Sequence, residues 1–167
     1  EGIVLTTGNA FNTSNGGFDL NEESTGLSDA DLNQIIDPNT VFTDATVFEF
    51  DFTPSSDNIN FRYIMASEEY SSNFPCLYSD GFAFLLRVAG TADYENIAIV
   101  PETITPVSVT SVHPGVDLNG NGIGCGPQNE DYFEGYNFGD TNFNGRTTIL
   151  NATAAVIPNK TYHIKLV

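Results

Sequence analysis

The stretch VFEFDFTPSSDNINFRYIM, residues 47–65, carries the clearest structural signal in the chain. Apolar side chains recur at every second position from Phe48 to Phe52, and again from Ile59 to Met65. A proline, two serines, an aspartate and an asparagine separate the two runs, and all of these residues favour turns. A period of two places alternate side chains on one face of a strand. The stretch therefore predicts two β-strands with a turn between them.

Further apolar runs of the same kind occupy much of the remaining chain. They are short, rich in valine, isoleucine and phenylalanine, and separated by Gly, Pro, Asn and Asp. These runs cover residues 82–88, 96–100, 106–112, 147–150 and 161–167. Period-two strands with turn residues between them predict an all-β fold, and specifically an antiparallel β-sandwich.

Two kinds of segment depart from the strand pattern. The run SDADLNQII begins with Ser28, a good N-cap residue, and predicts one short helix that ends at Ile36. Residues 10–28 and 113–145 are rich in Gly, Asn, Asp and Ser, which predicts long loops. The chain shows neither an internal repeat nor a linker, so residues 1–167 are expected to form a single domain.

The charge balance excludes several classes of partner. The 167 residues contain 5 Lys and Arg against 22 Asp and Glu, for a formal net charge of −17. Nucleic acids and anionic membrane surfaces both need clustered cations, so neither is an expected partner. No run reaches the roughly 18 apolar residues of a membrane span, so the chain is not expected to cross a membrane. Because apolar residues still make up 40% of the chain, it can bury a core.

Cys76 and Cys125 are the two cysteines of the chain. Both lie in loop-like segments, and a zinc site would need four ligands. The pair therefore fits a single disulfide better than a metal site, although two free buried thiols are the alternative. A disulfide would place the protein in an oxidising compartment, as a secreted or surface protein.

The order of several motifs resembles the choice-of-anchor L domain family over essentially the whole chain. The most specific block runs from ASEEY through SDGFAFLL to NIAIVPETITPVSV. The other motifs are GIVLTTGNA, LSDADLNQII, ATVFEFDFTP, INFRYIMASEEY, YFEGYNFG and NFNGRTTILNATAAVIPNKTYHIKLV. A subgroup of the family is also similar in carrying one Cys after SEEY and another in the following long loop, which supports the pairing of Cys76 with Cys125.

The resemblance implies a secreted module on the bacterial cell surface, in proteins that are anchored by varied C-terminal devices. Many similar proteins look like cargo of the type IX secretion route of gliding bacteria, and related domains occur in adhesins. The family pattern has strands before GIVL and after KLV, so we expect the first and last strands to be missing from residues 1–167. Flanking segments of the same protein, or another chain, would then complete the sheet.

The adjacent acids Glu68 and Glu69 raise the question of catalysis. Neighbouring residues of a regular strand point to opposite faces, whereas a glycosidase needs two carboxylates that face one substrate. Motifs of serine hydrolases, zinc proteases and phosphate-binding loops are missing from the sequence. The resemblance brings no catalytic activity with it either. We therefore expect a protein that is not an enzyme.

Calcium binding is a second explanation for the adjacent acids Glu68 and Glu69. Ca²⁺ takes six to eight oxygen ligands, often from carboxylates on neighbouring loops. Three acidic sets are predicted to converge on one ion: Asp29 with Asp31, Glu68 with Glu69, and Asp80. Two alternatives remain. The first pair could stabilise the N-terminus of the helix, and the second could be solvated surface.

Two weaker sets of residues complete the candidate sites. Asp117, Asn119 and Asn121 match the first half of a calcium loop, but Gln128 stands where the bidentate Glu belongs, so a glycine-rich turn is the favoured interpretation. Loop aromatics could bind a ligand: Tyr78, Tyr132 and Tyr136.

The sequence thus predicts a non-catalytic, calcium-dependent binding module for a protein or glycan at the cell surface. Adhesion or the assembly of surface filaments associated with gliding is the expected role. The alternative is a carbohydrate-binding module of a larger secreted enzyme. Coplanar exposed aromatics would favour sugar binding, and a contact at a strand edge would favour assembly.

Overall fold

The structure is a computed structural model that describes residues 2–14, 26, 28–39, 41–78, 80–118 and 123–167. It is built from short strands and a single α-helix, α1, with 3₁₀ turns at Ala10–Thr13, Phe74–Cys76 and Glu130–Tyr132. The α-helix and the strands are α1 (Ala30–Ile36), β1 (Phe48–Phe52), β2 (Asn58–Tyr63), β3 (Ala66–Ser67), β4 (Phe84–Val88), β5 (Glu95–Asn96), β6 (Val116–Leu118), β7 (Ile123–Cys125), β8 (Phe133–Tyr136), β9 (Gly145–Thr147), β10 (Leu150–Ala155) and β11 (Tyr162–Leu166).

The largest sheet has the strand order β1-β11-β4-β5, and all of its pairs are antiparallel. Strand β1 lies at one edge and pairs with β11 from Phe48 opposite Leu166 to Phe52 opposite Tyr162. The inner positions of β11 and β4 are buried, as the alternation in the sequence predicts. This sheet forms the central layer of the fold.

A second sheet, β2 paired with β10, covers the inner face of the large sheet. Phe61 and Tyr63 of β2 pack against Phe84 of β4, and the core between the layers also contains Ala152 and Ile164. Side chains from both sheets thus share one apolar interior. The prediction of an antiparallel all-β fold is confirmed.

A smaller core lies beside the sandwich, where β9 joins β3 to β8. Three fully buried valines supply part of it: Val107, Val109 and Val112. The prediction of a strand over residues 106–112 is wrong, because this segment forms turns. Ser111 Oγ donates to Pro106 O at 2.7 Å and accepts from Ser108 N–H at 2.9 Å. Such side-chain bonds compete with a strand ladder for the backbone groups.

Helix α1 packs on the outer face of the large sheet, where Leu32 contacts Ala83 and Leu85. The helix was predicted to begin after Ser28, but Asp29 is the N-cap, and its Oδ1 accepts from Leu32 N–H at 2.9 Å. An aspartate one residue later performs the same capping role. None of the helices within the described ranges is long and apolar enough to cross a membrane.

The predicted loop over residues 113–145 contains more regular structure than expected. It includes the hairpin of β6 and β7, the 3₁₀ turn Glu130–Tyr132 and strand β8. These strands are only three or four residues long, which is too short for a period of two to stand out from the surrounding Gly, Asn and Asp. Most of the other predicted loop, residues 10–28, lies outside the described part of the chain.

Candidate functional site

A concavity of about 780 Å³ lies where the early chain meets the end of the sandwich. Its walls come from residues 5–7, 41–43, 45–46, 64–69 and 80–82, among others. Four large apolar side chains at this concavity are exposed: Leu5, Val41, Ile64 and Phe74. Exposed apolar groups around a concave surface are typical of a binding site.

Glu69 and Asp80 meet in the wall of this concavity. Strand β3 ends at Ser67, whose Oγ accepts from Glu69 N–H at 3.0 Å and donates to Asp80 Oδ2 at 3.3 Å. Asn144 Nδ2 donates to the carbonyl oxygen of Glu68 at 2.6 Å and holds the same turn. One serine hydroxyl therefore fixes both acidic residues, and their carboxyl groups lie close enough for the charge of Asp80 to act on Glu69.

The two carboxyl groups cannot both ionise without cost. Burial, and then the negative charge of Asp80, raise the pKa of Glu69 to about 7. Burial also raises the pKa of Asp80, although hydrogen bonds from Ser67 and Glu69 oppose this. Two carboxyls in contact share one proton near neutral pH unless a cation replaces it. The pair is thus suited to bind either a proton or a cation.

Asp29 and Asp31 lie elsewhere, on the outer face of the large sheet. Lys165 of β11 places its Nζ 3.0 Å from Asp29 Oδ2 and 2.5 Å from Asp31 Oδ2. Burial alone would raise the pKa of Asp29, but the bonds from Leu32 N–H and Lys165 outweigh it, so that pKa is lowered. The five predicted calcium ligands therefore fall into two groups, of which one already holds a cation of the protein itself.

The donor set of the Glu69–Asp80 pair fits a hard cation in chemical type. Two carboxyl groups and the Ser67 hydroxyl are oxygen donors, which Ca²⁺ prefers. They provide fewer than six ligands, so backbone oxygens and water would have to complete the shell. Among the described residues no group of three or more His, Cys, Asp or Glu is placed to hold a metal ion. Calcium binding stays a prediction.

Asp117, the described member of the candidate calcium loop, does not line this concavity. Asp117 lies on β6, in the separate β6–β7 hairpin. Asn119 and Asn121 lie outside the described residues. The interpretation of this segment as a calcium loop therefore stays untested.

Cys76 and Cys125 form a disulfide, as predicted, with their Cα atoms 5.6 Å apart. The bond joins the 3₁₀ turn Phe74–Cys76 to the end of β7. Cys76 stands between Glu69 and Asp80 in the chain, so the bond restrains the loop that brings these two acids together. This is a structural role that spacing alone does not reveal.

Sequence reasoning missed a second exposed feature, the outer edge of β1. Phe48 and Phe50 are 43% and 37% exposed, although their side chains point to the inner face of the large sheet. Within the described residues, β1 has one neighbouring strand, β11, so its other edge is unpaired. An exposed apolar edge strand readily accepts a further strand. The alternation in residues 47–52 was the available signal, but it does not distinguish a covered face from an open one.

The family of the chain follows from its match to a known protein family. A family model described as the choice-of-anchor L domain matches residues 1–167. The chain belongs to this family. As a choice-of-anchor L domain it is a surface-associated or secreted module. The matched region is the whole chain, so both the concavity and the β1 edge are features of the domain itself. Neither a curated protein nor a solved structure matches the chain.

The tyrosines predicted to bind ligand differ in exposure and in ring partner in the choice-of-anchor L domain. Tyr78 is exposed and meets Phe74 at an interplanar angle of 84°. Tyr136 is also exposed and packs on Phe133 at 63°, whereas Tyr132 is half-buried beside the smaller core. Both exposed tyrosines thus meet a neighbouring ring edge to face, so neither pair forms a flat platform for a sugar ring.

The shared proton makes the stability of the domain depend on pH. Because the pKa of Glu69 rises from 4.5 to about 7 on folding, the native state binds more protons than the unfolded state between these values. Stability therefore falls as the pH rises through this window. We expect Glu69→Gln to stabilise the domain at pH 8 by on the order of 1 kcal/mol, and to show no such gain at pH 4. Urea melts in EDTA at several pH values measure this.

Glu130→Gln is the matched control, since it removes one exposed carboxyl group elsewhere on the surface. It should leave the slope of stability against pH between 5 and 7 as in the wild type. An equal gain at pH 8 from both variants would show that general charge reduction is responsible, and not the pair with Asp80.

Proposed function

We propose that this choice-of-anchor L domain is a non-catalytic binding module at the bacterial cell surface, where it acts in adhesion or in surface-filament and gliding-associated assembly. Its proposed partner is a protein that adds an extended segment to the outer edge of β1. A calcium ion at the Glu69–Asp80 pair would hold the adjacent loops in their binding conformation. Export by the type IX route is part of the same proposal.

The open β1 edge is the observation that carries this proposal. Backbone groups along an edge strand supply affinity to an added strand, and neighbouring side chains supply specificity. Phe48 and Phe50 offer exposed apolar surface beside this edge, where Phe50 lies 5.4 Å from Phe48 and 6.1 Å from Phe52 between ring centroids. His163 holds β1 in place through Asp51, at 2.7 Å from Nδ1 to Oδ1. His163 thus fastens β1 to β11, and the other edge of β1 has no neighbouring strand among the described residues.

Three features favour protein assembly over the alternatives. The exposed aromatics cross at steep angles, which disfavours a sugar-binding platform. Ser67 bonds both Glu69 and Asp80, so the two acids form one contiguous pair and do not face each other across a cleft, as the acids of a glycosidase do. The high net negative charge also disfavours nucleic acid.

Binding to cells tests the proposal. We expect fluorescently labelled domain to attach to the cells that produce it, and the double variant Phe48→Ser/Phe50→Ser to bind at least about tenfold more weakly. Flow cytometry at several concentrations gives the apparent affinity. Ile104→Ser is the control, because Ile104 is 94% exposed and lies in a turn away from β1. Equal binding by the double variant, with its melt intact, would exclude the β1 edge.

A further inference from the structure

A buried histidine stands against the disulfide. His113 is 1% exposed, and its Nε2 lies 3.9 Å from Cys125 Sγ. Its other ring nitrogen, Nδ1, lies 2.7 Å from the carbonyl oxygen of Pro114. The sequence does not indicate this contact, because the closeness of His113 to Cys125 depends on the pairing of β6 with β7.

The hydrogen bond to Pro114 determines which nitrogen carries the proton. A carbonyl oxygen only accepts, so Nδ1 must donate, and in the neutral ring Nε2 is then an unprotonated acceptor. That acceptor lies beside Cys125 Sγ. An intact disulfide has no S–H group to donate to this nitrogen, whereas a Cys125 thiol would have one.

The backbone holds this geometry rigidly. His113 N–H donates to Gln128 O at 2.9 Å, and Gln128 N–H donates to His113 O at the same distance. Val116 of β6 pairs with Cys125 of β7, which brings the sulfur back toward the histidine. The imidazole is therefore preorganised toward Cys125 and not toward Cys76.

We infer that Cys76–Cys125 is an exchangeable disulfide in which His113 makes Cys125 the favoured leaving thiol. A low-molecular-weight thiol loses its proton, attacks Cys76 Sγ and forms a new S–S bond there. The Cys76–Cys125 bond breaks, and Cys125 Sγ leaves with the electron pair. The proton lost by the incoming thiol ends between Cys125 Sγ and His113 Nε2, so the products are a mixed disulfide on Cys76 and a Cys125 thiol. A stabilised leaving thiol speeds exchange and decides which sulfur is attacked.

Exchange would change the binding surface of the domain. It frees the β6–β7 hairpin from the turn Phe74–Cys76, and that turn belongs to the loop between Glu69 and Asp80. Phe74 and the two acids all line the concavity. A thiol modification at Cys76 would therefore act directly on this concavity, which goes beyond the function proposed above.

Glutathione is the probe for the experiment. The native domain is incubated with reduced glutathione, quenched with acid, alkylated and mapped by peptide mass spectrometry. We expect glutathione on Cys76 and the alkyl label on Cys125. Glutathione mainly on Cys125, or evenly on both cysteines, would overturn the inference whatever the variants show.

Two variants test the part of His113. Asparagine at this position keeps an N–H near Nδ1 for Pro114 but removes Nε2, so His113→Asn should slow exchange by roughly tenfold. His113→Gln places an amide near the Nε2 position and should lie between the two. Melts of the oxidised proteins check folding. Wild-type rates and regiochemistry in a folded His113→Asn variant would contradict the inference.

Discussion

Reduction of the Cys76–Cys125 disulfide should lower the free energy of unfolding by about 4 kcal/mol. The bond spans 49 residues, and the chain-entropy model gives this size for a loop of that length. For a domain of this size the loss corresponds to a fall of roughly 10 °C in melting temperature. Calorimetry with and without reductant measures it, and circular dichroism at 20 °C should show little change in strand content.

The double variant Cys76→Ser/Cys125→Ser separates the bond from side effects of the reductant. It should melt at the temperature of the reduced wild type and should not respond to reductant. If the oxidised and reduced wild type melt at the same temperature, the bond contributes no stability and the proposed restraint of the Glu69–Asp80 loop is contradicted.

Calcium should raise the stability of the domain by about 2.7 kcal/mol when its free concentration is 100-fold above the dissociation constant. A bound ion would replace the proton shared by Glu69 and Asp80, and would turn a repulsive pair into two ligands. Thermal melts in EDTA and in Ca²⁺ at pH 8 measure the difference. We expect Glu69→Gln and Asp80→Asn to remove the response, and Glu68→Gln to weaken it.

Asp31→Asn distinguishes the two groups of acids. Its carboxylate binds Lys165 on the other face of the large sheet, so this variant should lose some stability and keep the full response to calcium. Loss of the calcium response in Asp31→Asn would mean that the acids act together, as the sequence first suggested. Identical melts of the wild type in EDTA and in calcium would exclude a calcium site.

Short-range patterns in the sequence predicted much of the fold. Alternation identified β1, β2, β4 and β11 because each has one face on the shared core, and that face repeats every two residues. The same reasoning failed at residues 106–112, where serine side chains replace strand hydrogen bonds. Apolar residues there still reach a core, but through turns.

The candidate site depended on contacts that are distant in sequence. Lys165 is 134 residues from Asp31, and nothing in the local pattern shows that it neutralises the predicted ligands. Glu69 meets Asp80 only because Ser67 and the Cys76–Cys125 bond shape the loop between them. The identities of the acids were therefore predictable, whereas their division into two groups was not.

Hydrogen–deuterium exchange over residues 48–52 examines the proposed binding surface most directly. The domain would be compared free and bound to envelope fragments of the cells that produce it, with peptides quantified by mass spectrometry. An added strand takes up the outward backbone N–H groups of β1, so we expect exchange in this segment to slow by at least tenfold on binding. Unchanged exchange in β1, with protection elsewhere such as Phe133–Tyr136, would show that the domain binds through a different surface.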